Sequence, residues 1–183
     1  MFKLTEKTCK LTNINLRTEF HGDQHKPAAD ISFNLTMQND VLDMFDKELR
    51  PMLFEEKPVH EKDLADQATD EAYLTQIRFP YLQKKLKWGY KGAGYRLSIP
   101  LGVTGDQDVY LHNCDIDKFE FEPKEGGSVV VFFQIHCHPT KDEIGRLYEK
   151  LSEEVELSLI PPSAEDRAQM ELDAMRDEDQ DED

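Results

Sequence analysis

The sequence predicts a β-rich α+β fold, mainly an antiparallel β-sandwich or open barrel, with two helices and a disordered acidic C-terminal tail. Residues 29–37 alternate strictly, placing Ile31, Phe33, Leu35 and Met37 on one face of a half-buried strand. Residues 117–137 read as a hairpin: Phe119 and Phe121 share a face, Glu125-Gly126-Gly127 supplies a turn, and residues 128–137 form a nearly continuous apolar run. The last 23 residues hold ten carboxylates against two arginines, a net of −8, behind the helix-stopping pair Pro161-Pro162.

Taken in order, residues 8–20 alternate loosely through Leu11, Ile14, Leu16 and Phe20, and His21-Gly22-Asp23 turns the chain back into the strand at 29–37. A first helix is expected to start at Asn39 or Asp40, with Leu42, Phe45, Leu49 and Leu53 at helical spacing and Pro51 bending or ending it. Residues 55–72 are polar and acidic, and read as a long loop with a short helix at most. Further strands are expected at 74–79, at 94–100 (Tyr95, Leu97, Ile99), at 107–113 and at 154–160 (Val155, Leu157, Leu159). Between the last two, Thr140 and Glu143 form a capping box for a second helix carrying Ile144, Leu147, Tyr148 and Leu151 on the side that packs on the sheet.

The chain has 183 residues, 38% apolar and 33% charged, which suits one domain over residues 1–160 and a polar tail over 161–183. No apolar run approaches membrane-spanning length, and Met1 to Lys7 lacks a signal-peptide core, so a cytoplasmic protein without a membrane partner is expected. Cys9, Cys114 and Cys137 are odd in number and follow no framework spacing, which points to a reducing compartment rather than a disulfide scaffold.

Charge asymmetry is the main functional clue. The chain carries −16, yet residues 72–105 contain no acid and six cations, Arg78, Lys84, Lys85, Lys87, Lys91 and Arg96, interleaved with Tyr73, Phe79, Tyr81, Trp88, Tyr90 and Tyr95. Cations that track phosphates beside rings that stack on bases are the equipment of a single-strand binder. The expected contacts are Arg78, Lys84, Lys85, Lys87, Trp88, Tyr90, Lys91, Tyr95 and Arg96. The ordinary alternative is a strand whose rings face the core and whose lysines guard a sheet edge.

A metal constellation is weaker. His112, Cys114, His136 and His138 offer soft and imidazole ligands, and a turn at Gly126 would set Cys114 opposite His138, but the spacing matches no zinc signature. Cys137 is expected on the opposite face, as a small buried hydrophobe. Glu19, His21 and Asp23 could group as acid and base, although turn residues of this kind are mostly solvated. There is no Walker loop and no Gly-x-Ser-x-Gly. Gly92-Ala93-Gly94 lacks the third glycine of a dinucleotide site and reads as a turn. Neither an enzyme nor a cofactor is expected.

At residues 16–23 (LRTEFHGD), 27–33 (PAADISF) and 39–45 (NDVLDMF), the chain resembles a family of uncharacterised bacteriophage and prophage proteins. The likeness continues at 77–80 (IRFP), 94–97 (GYRL), 125–133 (EGGSVVVFF) and 136–139 (HCHP), and covers most of residues 3–160. It implies a small protein that accompanies recombination or replication functions and supplies no catalytic residues. A β-barrel with an acidic tail is also similar to phage and bacterial single-strand binders, except that this tail ends Glu182-Asp183 without an apolar tip. The leading expectation is therefore a non-enzymatic protein of phage DNA metabolism that binds single-stranded DNA, with the tail as modulator. The alternative is an acidic DNA mimic or anti-defence inhibitor of a basic host protein, such as a nuclease or a CRISPR-type complex, favoured by the −8 that residues 1–160 carry without the tail.

Overall fold

The long strands of the computed structural model have a neighbour on both edges, and this closes the sheet on itself. The structure describes residues 1–21, 24–57, 74–81, 85–102 and 105–169. The turn at 22–23, Lys84, most of the expected loop at 55–72 and residues 170–183 of the tail lie outside them. Strand β1 (Leu4–His21) pairs with β9 (Glu154–Ile160) through its first residues and with β2 (Gln24–Gln38) from Lys10 onward. β2 then pairs with β8 (Ser128–Cys137), which pairs with β7 (Val109–Lys124). On its other edge β7 pairs with β6 (Gly92–Ile99), and β6 meets β9 again. All six contacts are antiparallel, so the expected sandwich or open barrel is a closed hydrogen-bonded ring, β7-β6-β9-β1-β2-β8, returning to β7. Closure leaves the ring itself without a free edge strand.

Alternation fills the inside. Ile31, Phe33 and Leu35 of β2, Val129, Val131, Phe133 and Ile135 of β8, and Leu157 and Leu159 of β9 are all buried. Phe2 plugs one region, its ring meeting Phe119 and Phe133 edge-on with centroids 5.1 and 5.5 Å apart.

Two strands differ from expectation through bulges. The segments expected at 107–113 and 117–122 are one strand, β7, in which Asn113 (φ 53°) and Lys118 (φ 52°) take left-handed backbone and each reset the alternation. In β1 a register shift between Leu11 and Asn13 buries Leu11 and Ile14 and leaves Leu16 half exposed. Gly92 and Gly94 open β6 and do not form a turn. The β7–β8 turn does fall at Glu125-Gly126-Gly127. Gly127 is required there twice, by φ 78° and because a Cβ would stand 3.1 Å from the Leu74 carbonyl oxygen.

The first helix is broken. Residues Asn39–Met44 form a 3-10 turn, and α1 (Leu49–Leu53) follows after a gap in which the Asp46 carboxylate accepts from the Glu48 amide. Asn39 does not cap. Its side-chain amide donates to the Leu74 carbonyl at 2.6 Å, tying the turn to β4 (Leu74–Ile77). Pro51 sits in the first turn of α1, where its missing N–H costs nothing, so the helix runs past it. β3 (Phe54–Glu56) pairs with β4 outside the ring, so the expected loop begins as a strand.

The second helix, α2 (Lys141–Glu149), has the expected capping box. The Glu143 amide donates to Thr140 Oγ1 at 3.3 Å, and the Thr140 amide to Glu143 Oε2 at 2.7 Å. Beyond Pro161-Pro162, residues 164–169 are helical, capped by Ser163 and Asp166 in the same reciprocal way. No helix among the described residues is long and apolar enough to cross a membrane.

Candidate nucleic-acid interface

Residues 86–99 run along a single edge of β7 as β5 (Leu86–Trp88), the connection Gly89-Tyr90-Lys91, and β6. The ladder holds at Trp88 opposite Phe119 and resumes at Gly92 opposite Ile116. Between them the connection swings away just where β7 bulges at Lys118. The two irregularities face each other and open a cleft of about 310 Å³ in the barrel wall, lined by residues 87–91 and 117–120. That volume is at the small end of ligand sites.

The cleft is aromatic at its base and charged at its rim. Tyr90 is half-buried, edge-on to Phe119 at 5.6 Å and to Phe45 at 5.9 Å, and its hydroxyl lies 3.0 Å from that of Tyr95. Tyr95 itself is fully buried. Burial and the Tyr90 hydroxyl push its phenol well above the ordinary tyrosine range. The expectation that Tyr95 offers a ring to a base is thus corrected: alternation along β6 turns it inward, between exposed Arg96 and Gly94. Trp88 is half-buried and walls both this cleft and a second one of about 500 Å³ beside Pro51, Met52 and Arg78.

The cations divide. Lys87 is 85% exposed and 3.9 Å from Glu120, and Lys91 is exposed and makes no ion pair with a described residue. Lys118, which the sequence reading missed because it lies outside the basic stretch, reaches the rim from β7 and donates to Gln134. Lys85 is drawn off, 3.3 Å above the Phe132 ring and 3.7 Å from Glu120, so it faces β8 as much as the cleft. Arg78 lies apart, at the end of β4, 3.6 Å from Glu55 and beside the second cleft. Arg96 is exposed on β6 and near enough to Asp166 to help hold that carboxyl below its usual value, after the hydrogen bonds from Ser163. Residues 163–166 therefore pass close to Arg96 after the chain leaves β9. Phe79 and Tyr81 are 50% and 94% exposed.

The four metal candidates do not converge. His112 is exposed, and the Asn113 bulge turns Cys114 into the core two residues later. His136 lies on the outer face of β8, with Nδ1 2.7 Å from Asp30 and Nε2 2.7 Å from Asp117. Asp30 also accepts from Arg17 at 3.0 Å. Partial burial opposes its charge, but the bonds from His136 and Arg17 hold its carboxyl below the usual range. His138 is half-exposed and 2.8 Å from Glu19, which also meets Arg17 at 2.7 Å. The side chains of His21 and Asp23, grouped with Glu19 in the sequence, lie outside the described residues. Among the described residues no three His, Cys, Asp or Glu side chains form a metal-binding group. The Lys118 bulge also moves the hairpin register by one, so Cys114 stands opposite Cys137 and not His138.

No family model matches the chain, and no curated protein or solved structure matches it.

Proposed function

We propose that the chain binds single-stranded DNA through the cleft between residues 87–91 and 117–120, as a non-enzymatic component of phage DNA metabolism in the bacterial cytoplasm. The observation that carries this reading is the half-exposed Trp88 ring set among Lys87, Lys91 and Lys118. Lysines at a rim hold phosphates, and an indole stacks on any base, so the contact tolerates sequence. The carboxylates of Asp117 and Glu120 are neighbours of the same rim, which keeps the site weakly basic and the affinity modest. Residues 170–183 carry −7, and their helical lead-in lies beside Arg96, which supports a tail that competes with DNA for the cations.

Fluorescence anisotropy of a labelled oligothymidylate tests this. Saturable binding is expected, weakened about tenfold or more by Trp88→Ala, in line with roughly 1–3 kcal/mol per stacked base. Truncation after Gln169 is expected to tighten it. Flat traces for both the full and the truncated chain would overturn the proposal.

The second reading, an acidic inhibitor of a basic nucleic-acid-binding protein, draws on the net charge of −16. It predicts that oligonucleotide leaves the anisotropy unchanged while the chain displaces DNA from such a protein in a salt-sensitive way.

A further inference from the structure

Cys114 and Cys137 are the next residues beyond Asp115 and His136, the end pair of the β7–β8 ladder. Both are free thiols and buried, at 0% and 1% exposure; the Cys114 sulfur bonds the His112 carbonyl at 3.8 Å, the Cys137 sulfur the Ala29 carbonyl at 3.7 Å, and the two thiols are near enough to influence each other. Directly opposed residues of an antiparallel pair have Cα atoms about 4.5–5.5 Å apart, inside the range of about 4.4–6.8 Å that a disulfide spans. We propose that Cys114 and Cys137 are a redox-active pair that closes into a disulfide across the β7–β8 seam.

The chemistry is thiol–disulfide exchange with a small disulfide as oxidant. One cysteine thiolate attacks the small disulfide, forming a mixed disulfide and releasing one small thiol. The second cysteine then attacks the protein sulfur, forms the Cys114–Cys137 bond and releases the second small thiol. Two electrons and both cysteine protons pass to the oxidant, which leaves as two thiols.

Position decides the rate. The neighbouring Cys114 thiol, and then burial, push the Cys137 thiol far above its ordinary value, so the buried pair reacts slowly. Cys137 is, however, the last residue of β8, followed by His138-Pro139 outside the ladder, so fraying of one strand end exposes it. Cys9 is the internal control. It is buried, its thiol is pushed up to about 12 by burial, and its sulfur bonds a backbone carbonyl as the other two do, but Val155 and not a cysteine stands opposite it.

The full chain is incubated with excess hydroxyethyl disulfide, both native and during refolding from urea, and mapped by non-reducing peptide mass spectrometry. The expected result is a loss of 2 Da from the dithiol form, a Cys114–Cys137 cross-link, Cys9 left free, and a Tm raised by roughly 5–10 °C that dithiothreitol reverses. Cys137→Ser is expected to abolish both the cross-link and the Tm rise. Absence of the cross-link in both conditions, or cross-links through Cys9 at equal yield, would overturn the proposal.

Discussion

His136 shows what a single side chain contributes on the outside of the ring. Its two nitrogens meet carboxylates on two neighbouring strands, Asp30 on β2 and Asp117 on β7, so one imidazole clips three strands together. Each ring nitrogen lies at hydrogen-bond distance from one carboxylate. His136→Ala is expected to lower stability by about 1–2 kcal/mol in urea unfolding at neutral pH, since all three side chains are mostly shielded from solvent. Asp30 sets the sign of the pH dependence. Its folded carboxyl is lowered from the usual 3.8, so its contribution is complete above that value and is lost as pH falls through the folded one. On acidification the stability curves of the native chain and His136→Ala should therefore converge as pH falls through the folded value, below 3.8. A constant gap down to pH 2 would show that the histidine acts by packing alone. None of this network was legible in the sequence. His136 invited a metal reading because imidazole is a good ligand, whereas its partners lie 106 and 19 residues away. Tyr95 was legible in two ways: its place among cations suggested a stacking ring, while its alternation with Leu97 and Ile99 set it on the core face, and the alternation decides.

At the scale of elements, strands with clean alternation were legible and bulged ones were not. β2, β8 and β9 carry their buried positions every second residue, and the capping box fixed the start of α2. Lys118 gives no such signal, because nothing in its side chain favours left-handed backbone, and its bulge is imposed by pairing on both edges of β7. That one bulge opens the cleft and sets Cys114 against Cys137. The turn at the other end of the hairpin is more readable. Gly126-Gly127 marks it, and the structure adds why the second glycine is needed: the backbone of β4 passes directly over it. Gly127→Ala should cost about 2–4 kcal/mol, from left-handed strain together with the 3.1 Å approach to the Leu74 carbonyl. Gly126→Ala, which meets nothing within 4 Å, should cost only about 1–2 kcal/mol. Equal losses in parallel urea titrations would mean that β4 yields and does not brace the turn.

The whole molecule couples a closed barrel to a large excess of negative charge, and the two respond to salt in opposite ways. Ring closure could not be read from the sequence, since the β1–β9, β2–β8 and β6–β9 pairings join segments far apart in the chain. The charge could, and it bears on folding as well as binding. At −16 the compact state suffers self-repulsion, which added salt screens. Raising NaCl from about 10 to 300 mM, where the Debye length falls from roughly 30 Å to below 8 Å, should therefore raise the Tm of the full chain. The chain truncated after Gln169 carries −9 and should gain less. DNA binding should move the other way. If Lys87, Lys91 and Lys118 each displace a counterion, the logarithm of affinity should fall with the logarithm of salt at a slope near −2, taking about −0.7 per phosphate. Lys91→Ala should bring that slope down by roughly 0.7 without altering the salt dependence of the Tm. A salt slope unchanged by Lys91→Ala would place the DNA elsewhere on the molecule, because charge at the cleft rim would then have no part in holding the phosphates.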